Sequence, residues 1–439
     1  MRAVVVGGGL AGSCAALELA ARGAEVALVC AGPGATALGG GTLDVAPASP
    51  LRRGGLPLAD AADGRPLAPL RRLLLAAHGN AAHPYAALLR GRSPALEVEE
   101  ARSALDAWLA PSGLRVVGSV EQTRWLADVR GAVRAADLAQ TGPGEGDVAS
   151  AEEIGLVDVP GLAGFDARPA LRMLAAELAS LGFSRPLRLA TLELPAGLAA
   201  LAAAPARLAR RLEDPTAQAA LAPAASRLGG PRRLLLFPPV LGLERVGGVL
   251  AWAADATRCR AAELIGAPPF ALAGYRLDRA LAVARARAGV EEFAGRVASI
   301  EEEAGRAVAV RVAGGERLAL DALVLATGRF VGGGLLERDG RLAEALLELP
   351  LYDLAGRRVD GVRPRRLVRR DYEAEQPLFA AGVRTDAQLR PLAASGVPRL
   401  ANAFAAGDLL GGFDPARDRT GLGVALLSGR RAGIEAAKC

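Results

Sequence analysis

The 439-residue chain holds one lysine, Lys438, so arginine carries almost all of its positive charge. Lys and Arg total 53 against 47 Asp and Glu, a net charge of +6, with the acids dispersed among the arginines. No basic tract stands out as a nucleic-acid footprint. The densest cluster, Arg365-Arg366 and Arg369-Arg370, reads as a solvated face. Histidine is as scarce: His78 and His83 are too few for a histidine-based metal centre. The four cysteines, Cys14, Cys30, Cys259 and Cys439, contain no C-x-x-C pair. Neither a zinc nor an iron–sulfur site is supported, and no metal is expected. That usage fits a reduced, cytosolic protein. No stretch reaches about 18 uninterrupted apolar residues. Residues 3–21 have the hydropathy of a signal peptide, but a glycine cluster and Glu18 interrupt them. No direct membrane span is expected. Half of the chain (51%) is nevertheless hydrophobic, ample for a large core and more than one domain.

What the chain does have is an ordered set of glycine loops. Val4-Val5-Val6 runs straight into Gly7-Gly8-Gly9-Leu10-Ala11-Gly12, the G-x-G-x-x-G pattern of a dinucleotide-binding βαβ unit. Gly7 permits the tight turn, Gly9 lets the backbone approach a pyrophosphate, and Gly12 lets the next helix pack close on the strand. Leu10 and Ala11 lie where that helix starts, with its free N–H groups and positive end facing the phosphate. The helix continues through Ala21 to a stop at Gly23. The alternation Ala24-Glu25-Val26-Ala27-Leu28-Val29 is a second strand. Its end should carry the acidic residue that binds the adenosine ribose, but Val29 is followed by Cys30. Three readings stay open at this point: a dinucleotide with a weaker adenosine end, a mononucleotide such as FMN, or a fold that binds nothing.

Further along, Leu38-Gly39-Gly40-Gly41-Thr42 either lays its backbone against a flat ring, through Gly40, Gly41 and Thr42, or is a plain connector. Residues 46–75 read as loop and short helix. Strands are expected at 114–118, 154–159 and 234–237, a helix at 169–181, and helical structure across 186–230. The nucleotide-binding pattern then returns with a helix over 279–289 and a buried strand ending in Ala326-Thr327-Gly328. It closes with a strand ending in Gly407-Asp408 and a helix over 420–436 that opens on Gly421-Leu422-Gly423. These elements fall at one edge of a parallel sheet, where ligands bind. Asp408 can hydrogen-bond a ribityl hydroxyl, and the last helix can aim N–H groups at a flavin ring oxygen. The fold class is therefore α/β: a Rossmann-like flavin-binding domain (1–45, 261–330 and 396–439) with an inserted α/β cap or substrate domain (46–260 and 331–395).

This order is that of two-dinucleotide-binding-fold flavoproteins. His83-Pro84-Tyr85, Gly164-Phe165-Asp166, the run Phe237-Pro238-Pro239-Val240-Leu241-Gly242-Leu243, the T-D-x-x-L-R-P of 385–391 and the G-G-F-D-P of 411–415 narrow it further. Together they resemble the B subunits of anaerobic glycerol-3-phosphate dehydrogenases, nearly end to end and most weakly at 45–75 and 195–230. The resemblance implies a flavoprotein subunit with FMN as its cofactor and FAD as the alternative. It also implies two partners, a catalytic FAD subunit and a membrane-bound iron–sulfur subunit that passes electrons toward quinone. The substrate would be small and phosphorylated. The chain would be cytoplasmic, peripheral to the inner membrane through a partner. The acid missing at Cys30 agrees independently with FMN.

Oxidising a secondary alcohol needs a general base and a cationic clamp for a phosphate. His83 is the candidate base, although its place before Pro84-Tyr85 favours a structural turn residue. Arg384 and Arg390 are candidates to clamp a phosphate or the flavin ring, and equally candidates for surface ion pairs. Asp386 and Asp414 can each cap a turn. The paucity of histidine leans toward electron relay. Two other classes stay in view: a stand-alone flavin oxidoreductase of a small hydroxy acid or dicarboxylate, and a non-catalytic flavin-fold scaffold.

Overall fold

The computed structural model describes residues 1–47, 67–230, 232–267, 272–371 and 374–439. Two parallel sheets organise it. In chain order their strands are β1 (Arg2–Val6), β2 (Glu25–Cys30), β3 (Glu153–Asp158), β4 (Leu187–Thr191), β5 (Arg233–Phe237), β6 (Arg260–Glu263), β7 (Glu291–Ala294), β8 (Ala322–Leu325) and β9 (Ala403–Ala405). The helices that shape the site and its support are α1 (Leu10–Ala21), α2 (Ala167–Ser180), α3 (Val246–Thr257), α4 (Leu272–Arg287) and α5 (Gly421–Ala436).

The first sheet runs β7-β2-β1-β8-β9, with every neighbouring pair parallel. Val5 of β1 pairs with Leu28 on one side and Val324 on the other. Both faces of these strands are covered, which is why they read as unbroken apolar runs rather than as alternation. The chain leaves β1 for β2 on one side and later returns to β8 on the other. That reversal leaves a crevice at the carboxyl ends of the strands. α1 is buried continuously from Leu10 to Leu19 because β1, α4 and α5 all pack on it. Glu18, buried in α1, accepts a hydrogen bond from Arg430 of α5 at 2.8 Å and also pairs with Arg22.

The second sheet runs β6-β5-β3-β4, again all parallel. α2 packs on it over Ile154, Leu156, Leu174, Leu178, Leu234 and Leu236, a core separate from that of the first sheet. Two expectations change here. Residues 186–230 are not wholly helical: Leu187–Thr191 forms β4, whose pairing with β3 overrides the helical propensity of its leucines and alanine. The 260/261 domain boundary also cuts through β6, whose four residues all pair with β5, so 261–263 belong to the inserted sheet. Of the loop and helix expected over 46–75, residues 48–66 lie outside the described residues, and a helix spans Pro69–Gly79. A buried ion pair joins α4 to the second sheet: Arg276 donates to Glu263 of β6 at 2.5 and 3.0 Å. Among the described residues no helix is long and apolar enough to cross a membrane.

Candidate functional site

A cavity of about 870 Å³ opens at the carboxyl ends of β1, β2 and β8. Its wall includes Gly7, Gly9, Leu10 and Ala11 from the first glycine loop, and Gly40 and Thr42 from the second. Ala326, Thr327 and Gly328, then Asp408, then Gly421 and Leu422, complete it. Elements from both ends of the chain thus share one surface. Gly12, Gly41, Gly407 and Gly423 stand behind that wall rather than in it.

The first loop is shaped by backbone crowding. Gly7 takes φ +114°, and a Cβ there would lie 2.1 Å from the Ala326 carbonyl oxygen. A Cβ on Gly12 would lie 1.8 Å from the Gly7 oxygen, so α1 can start this close to β1 only with glycine at both places. α1 has no side-chain cap and no acid in its first turn. The Leu10 N–H donates to the Thr36 hydroxyl at 2.9 Å, and Thr36 itself lines the cavity. The other first-turn N–H groups have no partner within the helix. β2 ends in Cys30, also on the cavity wall, with its thiol pushed up by burial and by Glu292. Beyond it the cavity continues along Gly32 to Thr36 and Gly295 to Ala298.

Below β8 and β9 lie two orphaned oxygens. Among the described residues the Thr327 hydroxyl and Asp408 Oδ1 are buried with no hydrogen-bond partner, and both residues line the cavity. Burial pushes the Asp408 carboxyl up, against the pull of Arg329. Arg329 follows Gly328 directly and is itself buried. Its guanidinium donates to the carbonyls of Asp408 (3.0 Å), Leu410 (2.9 Å) and Phe379, and it lies over the Phe413 ring at 5.2 Å. It pins the loop that carries Asp408. The two orphaned oxygens and the glycine cradle fit a polyhydroxyl chain joined to a flat ring.

The amino end of α5 closes the cavity without a side-chain cap or a first-turn acid. Two arginines flank it, Arg134 and Arg419. Arg134 sits on the strand Val133–Ala136 and pairs with buried Asp44, two residues beyond Thr42. Asp44 also accepts from the Asp137 N–H at 2.9 Å. Asp137 is fully enclosed, and its carboxylate accepts from the N–H groups of Val45 (2.9 Å) and Ala46 (2.7 Å).

The candidate catalytic residues lie elsewhere. His83 Nδ1 accepts from the Tyr85 N–H at 3.1 Å and caps the short helix Pro84–Leu88, with its ring against Tyr85 and Phe413. Arg384 stacks over Tyr352 at 4.1 Å and donates to the Gly356 carbonyl. Arg390 pairs with Asp386 at 2.7 Å, and Asp386 caps its own turn. None of the three lines the cavity, so the expected base and clamp are not brought to it. Asp414 caps the helix Pro415–Asp418. Sequence reasoning missed Thr36, Arg134, Arg329 and Arg419. Arg329 and Arg419 stood beside recognised glycine motifs; Arg134 had no local signal.

Residues 2–228 match the family model described as FAD binding domain. The chain is 29% identical over 448 residues to the B subunit of anaerobic glycerol-3-phosphate dehydrogenase from Yersinia pseudotuberculosis, covering 97% of this chain and 95% of that one. Its likeness to the protein of the same name from Pectobacterium carotovorum is also 29%, over 97% and 96% of the two chains. Among solved structures, 3-ketosteroid delta1-dehydrogenase from Sterolibacterium denitrificans aligns at 14% identity and a TM-score of 0.43 over 99% of each chain. The family match is to FAD-type binding, and nothing in it favours the FMN expected from the sequence.

Proposed function

The chain belongs to the FAD-binding-domain family, and on that premise we propose that it is the flavoprotein subunit of a respiratory glycerol-3-phosphate dehydrogenase. In this reading it oxidises sn-glycerol 3-phosphate to dihydroxyacetone phosphate. Electrons leave through the flavin and an iron–sulfur partner toward quinone. Two things support it: relatives of that name align over nearly the whole of both chains, and one cavity gathers every glycine motif of a flavin site. The second observation carries the reading, because the motifs come from segments far apart in sequence and meet only in the fold.

The residues present suit the roles required. The backbone of Gly7 to Ala11 and the start of α1 would hold a pyrophosphate. Thr327 and Asp408 would take the ribityl hydroxyls with oxygens that have no hydrogen-bond partner among the described residues. The amino end of α5 would face the ring and favour negative charge there. Bound flavin would supply the hydride acceptor. We read that flavin as FAD, because the cavity runs past Cys30 and leaves room for an adenosine end without the usual carboxylate. The relatives are named as one lettered member of a multi-subunit dehydrogenase, which supports work beside other chains: a catalytic FAD subunit and a membrane-bound iron–sulfur subunit. The chain would then sit on the cytoplasmic side, at the inner membrane only through that partner.

The test is the visible spectrum of the purified chain, with the flavin released by denaturation and identified by chromatography, then anaerobic addition of sn-glycerol 3-phosphate. Released FAD that is bleached by the substrate is the expected result. Released FMN would restore the mononucleotide reading. A folded, colourless chain that takes up neither flavin would leave only the scaffold role.

A further inference from the structure

We propose that Arg134 and Arg419 form a subsite for the phosphate of a small phosphorylated alcohol, at the end of the cavity where α5 begins. This rests on the dehydrogenase reading above and adds to it the groups that select a phosphorylated substrate over a neutral one.

Both arginines line the cavity, yet they come from distant segments. Arg134 belongs to a hairpin of the inserted region, and Arg419 immediately precedes Thr420, the cap position of α5. Neither has its donors satisfied. Arg134 pairs with Asp44, but among the described residues its Nε is buried without a hydrogen-bond partner. Among the described residues Arg419 makes no hydrogen bond or ion pair, although Asp44 and Asp128 attract it from farther off. Asp44 is already engaged by Arg134 and the Asp137 N–H. Arg419 is exposed at the mouth of the cavity. Even so, the protein packed around it and the Arg134 cation hold its guanidinium below the usual arginine range.

Backbone geometry supplies a way to test Arg419 by substitution. Arg419 adopts φ +59°, ψ 16°, a left-handed conformation that glycine tolerates and arginine resists. That conformation ends the short helix Pro415–Asp418, of which Arg419 is the C-cap. The uncapped start of α5 contributes a third positive end beside the two guanidiniums. A phosphate dianion has three oxygens to share among two planar forks and a helix terminus, whereas a carboxylate has two. The predicted clamp therefore falls here rather than at Arg384 and Arg390, whose guanidiniums are engaged away from the cavity.

The experiment titrates the flavin-loaded full chain with inorganic phosphate, sn-glycerol 3-phosphate and glycerol by calorimetry, and records flavin content, thermal midpoint and KM for each variant. Arg419→Gly removes the guanidinium and relaxes the backbone; Arg419→Lys restores a cation; Arg134→Gln tests the second arm. The expected result is that both phosphate compounds bind and glycerol does not. Arg419→Gly and Arg134→Gln each weaken phosphate binding at least about tenfold. Arg419→Gly keeps its flavin and an equal or higher midpoint, and Arg419→Lys recovers part of the affinity. The subsite is overturned if Arg419→Gly binds phosphate like the parent, or if it loses flavin together with phosphate. It is also overturned if the parent binds neither phosphate compound. Arg419-dependent phosphate binding without flavin reduction by sn-glycerol 3-phosphate would keep the subsite and sink the dehydrogenase reading. Flavin reduction with an unchanged KM in Arg419→Gly would do the reverse.

Discussion

At Gly7 a methyl group would have to occupy the place of the Ala326 carbonyl, in a backbone conformation that side chains rarely adopt. Gly7→Ala is expected to cost at least about 2–3 kcal/mol and to strip the flavin. Flavin-to-protein absorbance ratio and thermal midpoint read the two effects. Asp408 makes the opposite case. Its Oδ1 is buried and, among the described residues, has no hydrogen bond; it lies 3.6 Å from Arg329 in a half-buried side chain, so the apoprotein gains little from it. Asp408→Ala should leave apoprotein stability within about 1 kcal/mol of the parent while weakening flavin binding roughly tenfold or more. Fluorescence titration of the apoprotein with FAD measures the second quantity, and an unchanged affinity would remove Asp408 from the site.

The element that most depends on small side chains is α5. A Cβ on Gly429 would sit 2.3 Å from the Ala11 carbonyl oxygen, so α5 lies directly against the first turn of α1. Gly429→Val is expected to separate the two helices, lowering stability by more than about 2 kcal/mol. Flavin content should fall with it, since the same turn of α1 borders the cavity. Loss of stability with flavin content intact would show that the two helices position nothing for the ligand. The hydrophobic pattern made α1 legible as a helix, but the glycine spacing on α5 gave no hint of its partner. Leu187–Thr191 is the complementary lesson: its composition favours helix, and only β3 beside it makes it a strand.

Across the whole molecule, Asp137 couples stability to pH. Burial first, then the neighbouring Asp44 charge, raises its carboxyl from 3.8 to about 7, against its backbone hydrogen bonds and Arg72. Between those values the folded chain holds a proton that the unfolded chain has released. The stabilisation from this group is complete below about pH 4 and is lost as pH rises through about 7. Asp137→Asn should therefore show a flatter dependence of thermal midpoint on pH between 4 and 8 than the parent, whatever its absolute stability. An identical slope would mean that the carboxyl is ionised throughout. The same cluster, Asp44 with Arg134 and Asp137, joins the inserted region to the segment after the second glycine loop. Changes there should be felt in the cavity as well as in the fold.

The sequence by itself determined the parallel sheet and its ligand-binding edge. A glycine that must turn, or must admit another backbone, leaves its mark locally, and Gly7, Gly12, Gly328 and Gly407 could be read one at a time. The missing carboxylate at Cys30 was equally plain, though its consequence was not, because room for an adenosine depends on chain far from β2. The charges were decided by the tertiary structure. An arginine's sequence neighbours do not reveal whether it meets a carboxylate, a ring or open space. Arg384 found Tyr352, Arg390 found Asp386, and Arg419 found neither kind of partner among the described residues and stayed at the cavity. Long side chains act at the ends of several rotatable bonds, across contacts that only folding creates, whereas a glycine acts where it stands.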